Sequence, residues 1–425
     1  MFETRTSTVP ITKEMVKAAY RKVKANAGAA GVDKESLEDF QADLLNNLYV
    51  LWNRLSSESY FPKPLRSVSI PKSNGKKRTL GIPTVSDRIA QQVIKSYLEP
   101  RLEAEFHNNS YGYRPLKSAH QAISAVQENV RQYAWVLDMD IKSFFDEVDH
   151  ELLMKALERH VEEKWVKMYI KRWLETPVQQ GDGTLIPKNG KGTPQGGVIS
   201  PLLANLYLHY VLDKWINKHY PQAAFVRYAD DVIIHCHTEE EEKAMLLAIR
   251  SRLAECKLSL NEEKTKMVYC QDYRRVKKKS FGKKFDFLGF TFKPCSLASK
   301  RGGGSTFLGY GCAISQSAQT RITQGWTKLN WHRKSNLTIQ DIAGQVNSQM
   351  RGIIRYYGKF KLWTLQRLMW HFEFRLVKWV LNKYSKFKNS YTRAYQWIKE
   401  LKQSYPTMFY YWTILNMFDD MIRAV

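Results

Sequence analysis

The sequence feature that most restricts the fold is a pair of short apolar segments, one followed by an aspartate and the other interrupted by two aspartates. Residues 134–139 form an apolar run that leads into Asp140, and residues 225–234 are apolar around Asp230-Asp231. The first pattern predicts a buried strand that ends in acid, and the second predicts two strands joined by a tight acidic turn. With the hairpin beside the first strand, the three carboxylates converge.

Three converging carboxylates repel one another unless a strong cation neutralises them, so the pattern predicts bound divalent metal. Ligands that are all oxygen favour Mg²⁺. Two such ions would lower the pKa of an attacking 3′-hydroxyl and stabilise the leaving pyrophosphate, which is the chemistry of a polymerase. Asp138 points to the same strand face as Asp140, but we interpret it as structural.

The charge balance indicates a polyanionic partner. The chain of 425 residues has 66 Lys and Arg against 41 Asp and Glu, a formal charge of +25. No stretch reaches the roughly 18 uninterrupted apolar residues of a spanning helix, so we expect nucleic acid and no membrane as the partner. The N-terminal residues lack the pattern of a signal peptide, and we expect a cytoplasmic protein.

The cysteines are scattered, without a C-x-x-C pair or a histidine at ligand spacing, so we predict free thiols and no zinc. They are Cys236, Cys256, Cys270, Cys295 and Cys312.

The remaining patterns predict a mixture of helices and strands in two or three packed units. An Asn-Gly turn predicts a β-hairpin over 68–83, residues 285–292 are strand-like, and 301–305 resemble a linker or hairpin tip. Predicted helices cover 13–60 with a break at 26–31, 87–102, 119–130, 151–174, 198–215, 239–256 and most of 315–384.

Eight motifs follow one another in a fixed order. They are the loop ending Gly31-Val32-Asp33, the segment Ile70-Pro71-Lys72 through Arg78 to Pro83, Ser110-Tyr-Gly-Tyr-Arg114-Pro115, Asp140-Ile-Lys-Ser-Phe-Phe145, Gly192-Thr-Pro-Gln195-Gly-Gly197 with Ser200-Pro201-Leu-Leu-Ala-Asn205, Arg227-Tyr-Ala-Asp-Asp231, Asn261-Glu-Glu-Lys264-Thr265 and Phe287-Leu-Gly-Phe290. In this order they resemble the reverse transcriptases of group II introns, also called maturases.

The resemblance implies an α+β fold, a right-hand polymerase with fingers, a palm whose antiparallel sheet is flanked by helices, and a helical thumb. It implies an N-terminal extension and fingers over 1–136, with part of 160–200 joining fingers and palm. The palm covers 137–295 and the thumb, or maturase X domain, 310–385. Residues 386–425 are a short tail and a candidate remnant of a DNA-binding segment.

The resemblance also implies roles for single residues. Asp140, Asp230 and Asp231 match the catalytic triad that binds two Mg²⁺ ions, and Ile141 is assigned to the same metal site. The nucleotide-binding residues are Lys72 and Arg78, which grip the triphosphate, Phe145, whose ring excludes a 2′-hydroxyl, and Gln195, which lies against the incoming nucleotide.

Further contacts follow from the last motifs and from the basic helices. Lys264 matches a residue that assists pyrophosphate departure, although a solvated lysine at a helix end is an equal interpretation, and Leu288 and Gly289 resemble a primer grip. We expect most tryptophans of the thumb to be core. The candidate RNA-binding residues are Arg351, Arg355, Lys359, Lys361, Arg367 and Arg375.

Three functions remain open at this point. The first is RNA-templated DNA synthesis, with an RNA template, a DNA primer or target and dNTPs as partners. The second is binding of intron RNA as a splicing maturase that also supports intron mobility by target-primed reverse transcription. The third is a defence-associated or domesticated reverse transcriptase. The Gln195-Gly-Gly turn and the thumb segment favour an intron over retron or diversity-generating lineages. Homo-oligomerisation is left open.

Overall fold

A computed structural model describes residues 9–71, 77–278, 280–298 and 306–414. The chain divides into two compact units. The first unit comprises Met1–Asn129 and Trp135–Met267, and the second comprises Val130–Ala134 and Val268–Val425.

Helices are the commonest regular elements in both units. Up to residue 267 they are α1 (Lys13–Asn26), α2 (Leu37–Ala42), α3 (Leu44–Ser56), α4 (Val85–Glu105), α5 (Ala119–Gln132), α6 (Phe144–Glu147), α7 (His150–Glu158), α8 (Lys164–Glu175), α9 (Ser200–Leu208), α10 (Lys214–His219) and α11 (Glu239–Glu255). The later helices are α12 (Gln316–Leu329), α13 (Ile339–Lys361), α14 (Gln366–Lys383) and α15 (Tyr391–Ser404).

The N-terminal helices begin at side chains that cap them. The Thr12 hydroxyl accepts a hydrogen bond from the backbone of Met15, and Ser36 forms a reciprocal capping box with Asp39 at the start of α2. These caps satisfy backbone N–H groups that have no partner inside the helix. The predicted break at residues 26–31 is confirmed.

Two antiparallel strands carry Arg78 and Lys77, which belong to the segment predicted as fingers. Strands β1 (Leu65–Pro71) and β2 (Lys77–Ile82) pair antiparallel, as predicted, with Pro71 opposite Lys77. Two short strands, β4 (Val178–Gln179) and β5 (Leu185–Ile186), extend the sheet in the order β2-β1-β4-β5. The predicted triphosphate-binding Lys72 lies outside the described residues.

The central sheet has the order β6-β7-β3-β8. Its strands are β3 (Trp135–Asp140), β6 (Ala224–Tyr228), β7 (Asp231–Cys236) and β8 (Lys266–Tyr269), whose first two residues belong to the first unit. The β3, β6 and β7 strands are mostly buried and pair antiparallel. The predicted strand and acidic hairpin are therefore confirmed, and they lie side by side.

The prediction of one helix over 151–174 was wrong, because the chain leaves the helix between α7 and α8. His160 in this break hydrogen-bonds the Tyr210 hydroxyl at 2.7 Å, and Val161 is buried. His160 and Val161 fit the helical pattern of the sequence, but their contacts with distant residues are made where the helix is broken. The predicted helix over 198–215 is also interrupted, by a π-helical turn at His209–Asp213.

Within the described residues, the second unit contains a three-stranded antiparallel sheet and the long helices α12 to α15. The sheet order is β11-β10-β9, with β9 (Phe285–Phe287), β10 (Phe290–Ala298) and β11 (Thr306–Ile314). The predicted linker at 301–305 lies outside the described residues.

An aromatic core holds the helices of the second unit together. The Phe372 ring contacts the rings of Trp326, Trp331 and Tyr411 at centroid distances between 5.2 and 5.4 Å. Burial of such rings gives large apolar area with preferred edge-to-face geometry. Trp379 is also buried, whereas Trp363 and Trp370 are exposed, so three of the five tryptophans in residues 310–385 are core. The α+β class with a helical C-terminal region is confirmed.

The helices in the described part of the chain are all too short or too polar to span a bilayer. Cys295 is half-buried, and the other four cysteines are buried.

Candidate active site

Two neighbouring strands place the three predicted aspartates together. Asp140 is the last residue of β3 and lies directly opposite Asp231, the first residue of β7. Asp230 precedes Asp231 in the turn between β6 and β7, where Ala229 has a left-handed backbone with φ of 57°. A positive φ is uncommon for a residue with a side chain, so this turn is tightly constrained.

The carboxylate of Asp140 already has two partners. The Asn261 side-chain amide donates to it at 2.9 Å, and Lys264 Nζ lies 3.1 Å from both carboxylate oxygens. The backbone carbonyl of Asp140 also accepts a hydrogen bond from the backbone N–H of Asn261. The loop after α11 therefore supports the end of β3 and brings a cation to it.

The electrostatics of the site disfavour three negative charges. Burial, together with the charges of Asp230 and Asp140, raises the pKa of Asp231 to about 6, although Lys264 opposes the effect. Burial also raises the pKa of Asp230, and the charge of Asp140 adds to this effect while Arg78 opposes it. Mutual repulsion of this kind is relieved by a bound cation.

The donor chemistry fits a divalent cation that prefers oxygen. In their present positions, no three acidic, histidine or cysteine side chains of the described residues lie close enough together to hold one ion. The Lys264 ammonium group stands beside Asp140, where it supplies positive charge to the carboxylate. Ile141 has an apolar, buried side chain, so only its backbone carbonyl oxygen could bind a metal ion.

Two predicted nucleotide-binding residues contact each other. Arg78 Nε donates to Gln195 Oε1, and the Gln195 amide donates to Asp146 at 3.3 Å. The backbone N–H of Gly81 donates to the Gln195 carbonyl at 3.0 Å. The glycine-rich turn is thus tied to strand β2.

The predicted sugar-sensing residue is largely buried. Phe145 is 8% exposed and packs edge-on against Phe144 at a centroid distance of 5.4 Å. Its backbone carbonyl accepts a hydrogen bond from Thr193 at 2.7 Å. The motif of Asp140 and the motif of Gln195 are therefore joined through Phe145.

Comparison with known proteins decides the family. The family description "Reverse transcriptase (RNA-dependent DNA polymerase)" matches residues 70–292, which include all three aspartates. The chain belongs to the reverse transcriptase family. The chain is 35% identical over 297 residues to protein YkfC of Escherichia coli K12, covering 60% of this chain and 76% of YkfC.

A second relative is encoded by a group II intron, as its name says. The chain is 33% identical over 201 residues to the group II intron-encoded protein LtrA of Lactococcus lactis, covering 47% of this chain and 33% of LtrA. The predicted resemblance to group II intron reverse transcriptases is thereby confirmed. Among solved structures, a telomerase from Candida albicans with a fragment of telomeric RNA matches at TM-score 0.45 and 14% identity, over 84% of this chain and 64% of that chain.

The predicted primer grip of the reverse transcriptase forms a tight turn in its second unit. Leu288 and Gly289 join β9 to β10, and both have positive φ, 49° and 79°. The Tyr356 hydroxyl donates to the Leu288 carbonyl at 2.9 Å, and the Tyr357 ring packs close to Gly289. Helix α13 therefore fixes this turn.

The six predicted RNA-binding cations differ in their surroundings. Arg351, Arg355 and Lys359 are exposed at intervals of four residues along α13, so they share one helix face. Lys361 Nζ instead lies 3.0 Å from the sulfur of Cys295. Arg375 donates to the Thr327 hydroxyl. Arg367 is exposed on α14.

Asn261 and Asp146 were not assigned roles from the sequence. Asn261 stands in the same motif as Lys264, and Asp146 follows Phe145, so both were close to assigned residues. Their contacts with Asp140 and Gln195 cross 121 and 49 residues of sequence. No local pattern links residues at such separations.

Proposed function

We propose that this reverse transcriptase extends a DNA primer on an RNA template with two Mg²⁺ ions held by Asp140, Asp230 and Asp231. The observation that carries the proposal is the direct cross-strand pairing of Asp140 with Asp231, with Asp230 beside them in the turn. Bound Mg²⁺ would lower the pKa of the primer 3′-hydroxyl and stabilise the charge on the leaving pyrophosphate.

The side chains around the triad would bind and orient the dNTP. Arg78 would bind triphosphate oxygens, where negative charge grows during transfer. Gln195 would lie against the nucleotide, with Asp146 holding its amide. Lys264, whose side chain is 60% exposed, would exchange Asp140 for the pyrophosphate oxygens, and Phe145 would close the space below C2′ of the sugar.

The test is primer extension with oligo(dT) on poly(rA) in Mg²⁺. Asp230→Asn preserves the side-chain volume and removes the charge, so it should abolish extension while circular dichroism and thermal unfolding stay close to wild type. Asp138→Asn is the matched control on the same strand as Asp140 and should be mild. Extension near the wild-type rate by Asp230→Asn would reject the metal assignment.

We also propose that the protein binds its intron RNA, assists splicing and supports mobility by target-primed reverse transcription. The chain spans about three quarters of YkfC but only one third of LtrA. Support comes from the similarity to LtrA, a group II intron-encoded protein, and from the exposed row of Arg351, Arg355 and Lys359. Such a row can neutralise phosphates, whereas the fold of the RNA supplies shape.

This second role is tested by affinity for the flanking intron RNA against an unrelated RNA of equal length, over a salt titration. We expect tighter binding of the intron RNA at salt that suppresses general phosphate contacts. Asp231→Asn should stop DNA synthesis yet keep this binding. Arg351→Glu with Arg355→Glu should weaken binding and splicing, whereas Lys171→Glu, on α8, should not. Equal affinity for both RNAs would reject the splicing role.

A further inference from the structure

Arg227, which precedes the catalytic turn, is one of the largest fully buried side chains of the described residues. Its guanidinium donates to both carboxylate oxygens of Asp213, at 2.7 and 2.6 Å. Asp213 is also fully buried. Burial alone would raise the pKa of Asp213, but Arg227 reverses this effect and the pKa is lowered. The pair is therefore charged, with fork-to-fork geometry.

The same guanidinium makes two more contacts, and one of them reaches the catalytic turn. Arg227 Nη1 donates to Asn205 Oδ1 at 3.0 Å and to the backbone carbonyl of Ala229 at 3.1 Å. The Ala229 carbonyl and the Asp230 nitrogen belong to one planar peptide group. Because Asp213 holds the guanidinium in place, the guanidinium in turn holds the orientation of the peptide group between Ala229 and Asp230.

The other side of the turn is held by the segment that pairs with Arg227. The Arg227 backbone accepts from Tyr111 at 2.8 Å, and the Asn205 amide donates to the Gly112 carbonyl at 2.7 Å. Gly112 packs so closely that a Cβ atom there would stand 2.4 Å from the Ala229 nitrogen. The left-handed Ala229 is thus enclosed between Arg227 and Gly112.

The π-helical turn explains how one helix supplies both partners of Arg227. Eight residues separate Asn205 from Asp213, which is about 2.2 turns of regular α-helix, so the two side chains would be offset around the axis. The wider turn at His209–Asp213 takes more residues per turn and reduces this offset. Both side chains can then face Arg227.

We propose that Arg227 is a positioning residue for catalysis, which acts through the Ala229 carbonyl to set the geometry of Asp230 and Asp231. This inference rests on the proposed function of the triad. In this inference, the buried cluster of Arg227, Asp213 and Asn205 orients the metal ligands without contacting the metal ions. Groups that orient ligands in this way typically change metal affinity or activity by roughly 10- to 100-fold when they are altered.

The test uses Arg227→Lys in the full-length protein. Lysine keeps the charge opposite Asp213 but cannot reach Asp213, Asn205 and the Ala229 carbonyl together. We expect a roughly 10- to 100-fold lower kcat, a higher Mg²⁺ concentration for half-maximal rate and weaker Mn²⁺ binding by electron paramagnetic resonance without dNTP. Primer–template affinity should be unchanged.

The matched control is Arg88→Lys. Arg88 is also buried and also donates to backbone carbonyls, those of Ala27 and Ala29. The Arg88→Lys substitution should lower the melting temperature without changing Mn²⁺ affinity or the Mg²⁺ requirement. If Arg227→Lys behaves in the same way, Arg227 is structural and the inference is wrong.

Asn205→Ala decides the question if Arg227→Lys does not fold, because it removes one contact of Arg227 without leaving a buried charge unpaired. It should weaken Mn²⁺ binding in the same direction by a smaller factor, and unchanged binding would overturn the inference. Failure of the proposed function is a separate result, because it would appear as normal extension by Asp230→Asn.

Discussion

Substituting Gly112 with alanine would test how tightly the catalytic turn is confined. The added Cβ would stand 2.4 Å from the Ala229 nitrogen and 2.9 Å from the Tyr228 carbonyl carbon. Both are backbone atoms of the acidic turn, so no flexible side chain can move aside. The strain must be relieved by displacement of the turn or of the segment that carries Gly112.

The size of that displacement follows from the contact distance. Ordinary contacts of a Cβ atom begin near 3.4 Å, so relief requires movement of about 1 Å in total (3.4 minus 2.4). Overpacking of this kind costs about 1–3 kcal/mol of stability. A misplacement of about 1 Å at a reacting centre can reduce the rate by about 10²-fold. We therefore expect the loss in kcat to exceed the loss in folded protein.

The assay is incorporation of a single dNTP on a preformed primer–template, with thermal unfolding of the same preparation. Gly344→Ala on α13 is the control, because its Cβ would meet nothing within 4 Å. Alanine there should stabilise the helix by about 0.5–1 kcal/mol and leave kcat unchanged. A Gly112→Ala protein with wild-type kcat and only a lower melting temperature would refute the reasoning.

Three other predictions concern single side chains. Phe145→Val should lower the ratio of kcat/KM for dNTP over rNTP, and an unchanged ratio would make Phe145 only a core residue. Asn261→Ala removes a hydrogen bond to the charged Asp140, typically about 1.5–3 kcal/mol, so primer extension should slow by about tenfold or more; a wild-type rate would exclude a positioning role. Burial raises the pKa of Asp87 from 3.8 to about 6, so its proton-linked stability is complete below about pH 4 and is lost as pH rises through about 6. Asp87→Asn stays neutral, so thermal unfolding from about pH 4 to pH 7 should show a smaller fall for this variant than for wild type; equal falls would show that Asp87 is not the group responsible.

The parts of the fold around the candidate site that were predicted correctly are those with local patterns. The apolar run of β3 and the apolar flanks of Asp230-Asp231 are short-range features, and each predicts a strand or turn without knowledge of the rest of the chain. The motif order then identified the family. The exact pairing of Asp140 with Asp231 could not be read from either segment, because register depends on both strands.

Helix limits were less predictable. Residues 151–174 have helical periodicity, yet the chain turns between α7 and α8, where Val161 is buried and His160 bonds Tyr210. The same applies to residues 198–215, where the π-helical turn interrupts a continuous apolar pattern. Periodicity records which face is apolar, whereas the end of a helix also depends on contacts with distant segments.

The sequence by itself determined the family and the strand and acidic turn that carry the three predicted metal-binding carboxylates. Only the tertiary structure decided what supports the carboxylates: Lys264 and Asn261 at Asp140, and the buried Arg227–Asp213 pair behind Ala229. In the sequence, Arg227 is one of many arginines in a strongly basic chain. A charged side chain is stable in the interior only where an opposite charge and hydrogen-bond partners reach it, and here they come from a helix that only folding brings beside β6.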